Sequence, residues 1–249
     1  MKKHQLAKLT GLPALLFWVL VWYVVAWKID NPLLLPTPVQ VFQCMADLAM
    51  TTAFWQITLT SIGRILLGLC LGIAFGSFLA LLTAFSSLLH TLIAPAMTAM
   101  QATPVASFTI LILIWVDRDY VPVLICCMMA LPVVWNNVSS GIRVTDPQLL
   151  EMATVYRLPL HTKLWRIYVP SVLPFFRTAC ASAISLGWKA GIAAEVLTLP
   201  KMSIGKMISE SKLYLLTPEL FSWTLTVILL SLLLQKILLQ LLQGRRAHD

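Results

Sequence analysis

Charge is almost absent from long stretches of this sequence, and the places where it gathers are the places where those stretches end. Only 11% of the 249 residues are charged and 59% are hydrophobic, with a mean hydropathy of +0.86. A soluble domain carries roughly 25% charged residues, so this composition describes a chain that folds in lipid. Each crossing needs about 20 apolar residues, and the length accommodates six such helices with modest loops. Hydrocarbon offers the backbone no hydrogen-bond partner, so the expected fold is an all-α integral membrane protein of six transmembrane helices in one domain.

The longest interruption of the apolar pattern is Gln148–Pro174. Arg143, Asp146, Glu151, Arg157, Lys163, Arg166 and Arg177 fall in or beside it, as in a water-facing loop between spans. Leu149, Leu150, Ala153 and Tyr156 recur at helical spacing, Leu158-Pro159 interrupts them, and Leu164, Ile167 and Tyr168 resume the period. The sequence therefore expects two short helices around a turn. Here the residues resemble the cytoplasmic coupling loop of binding-protein-dependent ABC importer permeases of type I. That pattern runs E-A-A, three residues, G, nine residues, I-x-L-P, and is matched by Glu151, Met152, Ala153, Arg157, Ile167, Val169 and Pro170. Met152, Arg157 and Val169 depart from it. A glycine between two helices signals a positive-φ turn, which a residue with a Cβ adopts at about 1 kcal/mol or by reshaping the turn.

Taken in order, Lys2, Lys3 and Lys8 precede an apolar run from Leu12 to Trp27 with no small-x-small cleavage site after it, read as an uncleaved first span entering from the cytoplasm. Residues 31–54 carry an L-P-x-P element. There Thr37 is placed to cap a helix, Pro38 to start it and Gln40 to complete a capping box, on a helix too short to span and lying at the outer interface. The second span, 57–85, holds Gly68, Gly72, Gly76, Ala80 and Ala84, one small residue every four, which lets another backbone approach. Arg64 stands one step earlier on that row, where a long cation near a span end snorkels to the interface. The third run, 91–116, is kinked by Pro95 and Pro104, with Gln101, Thr103 and Ser107 as candidates for a polar path. Residues 117–119 form an outer turn, and 121–138 the fourth span.

The fifth span, 175–197, repeats the row with Ala179, Ala183, Gly187 and Gly191, and its next step is Glu195. A carboxylate on such a row faces a helix interface, where an ion pair with Arg64 or a role in gating are the two readings. Lys189 lies about 240° around the helix from Glu195 and cannot pair with it there. Residues 198–218 read as the last outer loop, 221–242 as the sixth span, and Arg245-Arg246 return both termini to the cytoplasm. Trp188–Leu197 also resembles the fifth helix of nitrate, sulfonate and taurine permeases.

The net charge of +8 sits mainly at span ends and sets orientation rather than marking a nucleic-acid surface. Four of the five cysteines lie in apolar runs as packing residues, and Cys44 is the one expected to face an oxidising compartment. No G-x-x-x-x-G-K-[ST] occurs, and the four histidines form no metal or catalytic spacing. The chain is expected to be a non-catalytic subunit with no cofactor of its own, and an ion-gradient-driven secondary transporter is the alternative. The resemblance implies residues 1–56 as first span and outer helix, 57–242 as the permease core and 243–249 as a cytoplasmic tail, in a bacterial inner membrane. It further implies a second permease copy, two ATPase subunits that bind ATP and Mg, and an external solute-binding protein. Glu151, Met152, Ala153, Arg157, Ile167 and Pro170 would couple to the ATPase. Gln101, Thr103, Ser107, Lys189, Glu195 and Arg64 are the candidates for path or gate.

Overall fold

The computed structural model describes residues 2–243. Met1 and the basic tail with Arg245 and Arg246 lie outside the described residues, as do the side chains of Lys2, Lys3 and Lys8. The described chain is helical throughout: α1 (Lys2–Ile29), α2 (Pro38–Ala49), α3 (Thr52–Ala84), α4 (Ser87–Ala102), α5 (Val105–Ile112), α6 (Val121–Arg143), α7 (Pro147–Val155), α8 (Leu160–Lys163), a π turn (Leu164–Tyr168), α9 (Val169–Thr198), α10 (Ile204–Leu213) and α11 (Thr217–Gln243). Four rods are each long and apolar enough to cross a membrane: α3, α6, the continuous stretch Leu160–Thr198, and Thr217–Ile237 of α11.

The core is the trio α3, α6 and α9. The small residues of α3 face α6 at backbone distance: a Cβ added at Gly72 would lie 2.7 Å from the Cys127 carbonyl oxygen, and one at Gly76 2.7 Å from that of Leu131. Ala179, Ala183, Gly187 and Gly191 of α9 are all buried, Gly187 against Leu69 and Gly191 against Ile65 and Cys126. Both rows therefore work as helix seams, and dispersion contacts along them hold the trio where lipid offers no hydrophobic drive.

The expected cap at α2 is present in full. Thr37 accepts from the Gln40 amide, the Gln40 side chain accepts from the Thr37 amide, and Pro38 opens the helix. α11 holds this segment in place, with Thr217 donating to the Leu33 carbonyl at 2.8 Å and Ser222 to that of Val41 at 3.0 Å.

Three expectations change. The third apolar run is broken rather than kinked: Thr103 and Pro104 are both extended, and Pro104 stands at the start of α5. Pro95 lies inside α4 without ending it. The second loop helix is not separate, because α8 runs through the π turn into α9. Pro170 has no N–H to donate and its ring crowds the preceding turn, and the widened turn directly before it absorbs both effects. Finally, residues 198–218 are not a plain loop. Ser203 accepts from the Lys206 amide at 3.1 Å and starts α10.

Candidate functional site

The loop between α6 and α9 is built around α7. Asp146 caps it by accepting from the Gln148 amide at 2.9 Å, and Pro147 opens it. At its other end the Leu158 amide bonds the Ala153 carbonyl at 2.9 Å and the Arg157 amide that of Thr154 at 3.1 Å, a Schellman closure. Arg157 takes the left-handed conformation with φ of 48°, so the arginine adopts the turn that the glycine pattern describes. Ala153 is fully buried and Ile167 nearly so, whereas Glu151, Met152, Val155 and Tyr156 are exposed. The six loop candidates thus divide. Ala153 and Ile167 are the buried members of the loop, Arg157 and Pro170 shape the chain, and Glu151 and Met152 face outward beside Val155 and Tyr156. The last two were missed from the motif, although their place at the end of an amphipathic turn is the signal that finds them.

At the opposite end of the trio, Glu195 is the fully buried terminus of the α9 row. Ser61 of α3 donates to its Oε2 at 2.9 Å and the Gly205 amide at 3.1 Å, while the Ile204 amide donates to the Ser61 oxygen at 2.9 Å. The first turn of α10 is therefore pinned onto a buried carboxylate through its own free N–H groups, the favourable place for negative charge. A Cβ at Gly205 would strike the backbone and Cβ of Glu195, so glycine alone allows this approach.

Arg64 is held by several partners. Its side chain is turned inward, 3.9 Å from Glu195 Oε1 and 3.6 Å from Asp119, and it donates to the Lys201 carbonyl at 2.6 Å and the Met202 carbonyl at 3.3 Å. Asp119 in turn accepts from the Lys201 amide at 2.7 Å. The result is a clasp joining α3, α9, α10 and the 117–119 turn, in which the expected Arg64–Glu195 pair is one link. Ser61, Asp119 and Gly205 were not singled out in the sequence; Ser61 is one turn before Arg64 on the same face, and that i, i+3 spacing was the available clue.

The remaining path candidates sit elsewhere. Gln101 and Lys189 line one cavity of about 340 Å³ between α4, α5, α6 and α9, together with Met129 and Pro132. Lys189 makes no ion pair among the described residues. Thr103 lies at the α4–α5 break with its hydroxyl donating to the Ala99 carbonyl at 2.7 Å, and Ser107 is exposed on α5. The described histidine, cysteine and acidic residues form no group able to hold a metal ion.

Residues 72–247 match the family of binding-protein-dependent transport system inner membrane components. The chain belongs to this family. The permease is 25% identical over 223 residues to a Bacillus subtilis protein named as an aliphatic sulfonates transport permease, covering 89% of this chain and 80% of that one. It is 27% identical over 177 residues to the formylaminopyrimidine transport permease of Halalkalibacterium halodurans, 70% of each chain. To the taurine transport system permease of Escherichia coli it is 23% identical over 221 residues, covering 86% and 80%. The permease is accordingly a transmembrane subunit of an ABC importer, not a secondary transporter.

Proposed function

We propose that this permease pairs with a second copy of itself, receives two ATPase subunits on the α7 face, and passes a small sulfonate-like anion delivered by an external binding protein. The loop end then faces the cytoplasm, with both termini, and the clasp end faces outward. The chain holds no cofactor; ATP and Mg belong to the ATPase. The observation that carries this reading is α7 itself. It is capped at both ends, keeps Ala153 buried on its inner side, and presents Glu151, Val155 and Tyr156 outward.

Mechanically, α7 is joined through the Arg157 turn to a continuous rod of 39 residues, Leu160–Thr198, roughly 60 Å long at 1.5 Å per residue. Packed small-residue seams allow α3, α6 and α9 to move as one body. Closure of the ATPases would pull α7, tilt this body and carry the motion to the clasp at its far end. Gln101 and Lys189 would border the path formed between the two copies, Lys189 offering the cation that an oxyanion needs in a medium of low dielectric. Support for this substrate class comes from the relatives named for sulfonates and taurine.

The test of coupling is Val155→Glu with Tyr156→Ala in the purified importer. Ala153 is unsuitable, because a charge there would be buried inside the loop. Loss of transport-linked ATPase activity with an unchanged melting temperature is the expected result, and full coupling in this variant would reject the α7 assignment. For the substrate, Lys189→Gln should raise the half-saturation for a sulfonate substrate at least several-fold. Equal transport by both proteins would point to an uncharged cargo.

A further inference from the structure

At the loop end of the bundle two cavities of opposite character meet. The first, about 520 Å³, lies among the ends of α3, α4 and α6, with Ser87, His90, Ser139 and Arg143 in its wall. The second, about 440 Å³, is an apolar groove between α3, α6 and α9, bordered by Leu81, Phe85 and Val172. Ile142 and Tyr168 belong to both walls, so the two cavities are neighbours with one shared border. Each has a volume within the range of about 300–1,000 Å³ usual for small-molecule sites.

The polar cavity is built for an anion. Arg143 makes no ion pair among the described residues, and the His90 ring is its hydrogen-bond partner. His90 is itself braced against Trp135, ring centroids 5.4 Å apart, and Trp135 donates to Thr83 at 3.0 Å. This rigid support holds one face of the guanidinium and leaves it with donors to spare. Deeper in the wall Ser139 is 93% buried and its hydroxyl has no partner. An unpaired buried hydroxyl costs about 1–3 kcal/mol, a loss that an oxyanion in the cavity removes. The groove beside it is lined almost wholly by apolar side chains, with the Ser77 hydroxyl, itself without a partner, as the exception in its α3 wall. It adjoins Trp165 and Tyr168, the residue types that gather at headgroup depth.

We propose that this double cavity binds one anionic phospholipid, its phosphate on Arg143 and Ser139 and an acyl chain along the groove past Ile142 and Tyr168. Amphiphile chemistry is what the shared wall selects: a free oxyanion fills only the polar half, and an apolar segment of a second copy only the groove. The inference goes beyond the transport reading and rests on it solely for the leaflet, which is the cytoplasmic one if α7 faces the ATPases. Basic pockets between membrane helices on that side are a known way of holding anionic headgroups.

The test uses the whole importer in detergent, where lipid retention does not depend on orientation. The complex is photolabelled with a diazirine-tailed phosphatidylglycerol or phosphatidylcholine, and the modified peptides are read by mass spectrometry. Phosphatidylglycerol is expected to label α3 and α9 at the groove in preference to phosphatidylcholine. Arg143→Gln should lower that labelling about fivefold, and Arg143→Lys should restore most of it. Leu81→Trp, which fills the groove and leaves the cation intact, should abolish it while the assembled complex and its ATPase activity persist. Equal labelling by both lipids, labelling unchanged in Arg143→Gln, or displacement of the lipid by inorganic phosphate or taurine alone would overturn the proposal. So would a groove that cross-links to a second copy instead. Failure of the Val155 and Tyr156 test, with labelling intact, would move the ATPase face and not the lipid site.

Discussion

Single positions carry sharply different loads in this fold. Gly205 lies where a Cβ would meet the Glu195 backbone, while Gly63 has nothing within 4 Å of such an atom. Gly205→Ala is therefore expected to destabilise by about 1–3 kcal/mol through overpacking. Gly63→Ala, on an open helical face, should stabilise by about 0.5–1 kcal/mol. Melting temperatures of the two purified variants should move in opposite directions. Ser61→Ala removes one of the two hydrogen bonds to a buried carboxylate oxygen and should lower stability by about 1–3 kcal/mol. At Arg157, with φ of 48°, replacement by glycine relieves backbone strain of about 1 kcal/mol. Slower proteolysis within the α7–α8 turn of Arg157→Gly is the expected outcome, and faster cleavage would mean that the arginine side chain stabilises the turn by more than the strain.

Among the elements, the helices with periodic apolar residues and caps were legible, and those governed by remote partners were not. Thr37, Pro38 and Gln40 announced α2 because every group that closes its first turn is local. The rows of small residues in α3 and α9 announced seams because a four-residue period has little other use in lipid. α10 was read as loop although Ser203 caps it, since its position depends on Glu195 and Ser61, 10 and about 140 residues distant. Of the Arg64 contacts only the link to Glu195 was legible, and the others were hidden for the same reason: Asp119 and the Lys201 carbonyl become its neighbours only after α9 and α10 have docked. The clasp has a measurable signature at this scale. Arg64→Met leaves Glu195 buried without its cation and should cost about 3–5 kcal/mol. Adding Glu195→Gln should recover part of that loss, and strictly additive melting shifts would show that the two side chains are not coupled.

Across the whole molecule, the trio α3, α6 and α9 is the rigid body and the other helices are attached to it. Hydrogen exchange of the assembled importer should find the slowest amides at Gly72–Ala80 of α3, which lies against the α6 backbone, and at Ala179–Gly191 of α9, whose small residues are packed against side chains of α3 and α6. The amides of Val105, Ala106 and Ser107, in the first turn of α5 after Pro104, should exchange faster than those within α4, because the opening N–H groups of a helix have no intrahelical acceptor. The clasp also sets a problem of timing during synthesis. Arg64 enters the membrane with α3, but Glu195 is made about 130 residues later, which at roughly 5–20 residues per second is a delay of about 7–26 seconds. Asp119, about 55 residues downstream, is the earlier made of the two carboxylates that pair with Arg64 in the finished fold. If the 3.6 Å Arg64–Asp119 contact forms in that interval, Asp119→Asn should lower the yield of inserted α3 during synthesis more than it lowers the melting temperature of the mature protein.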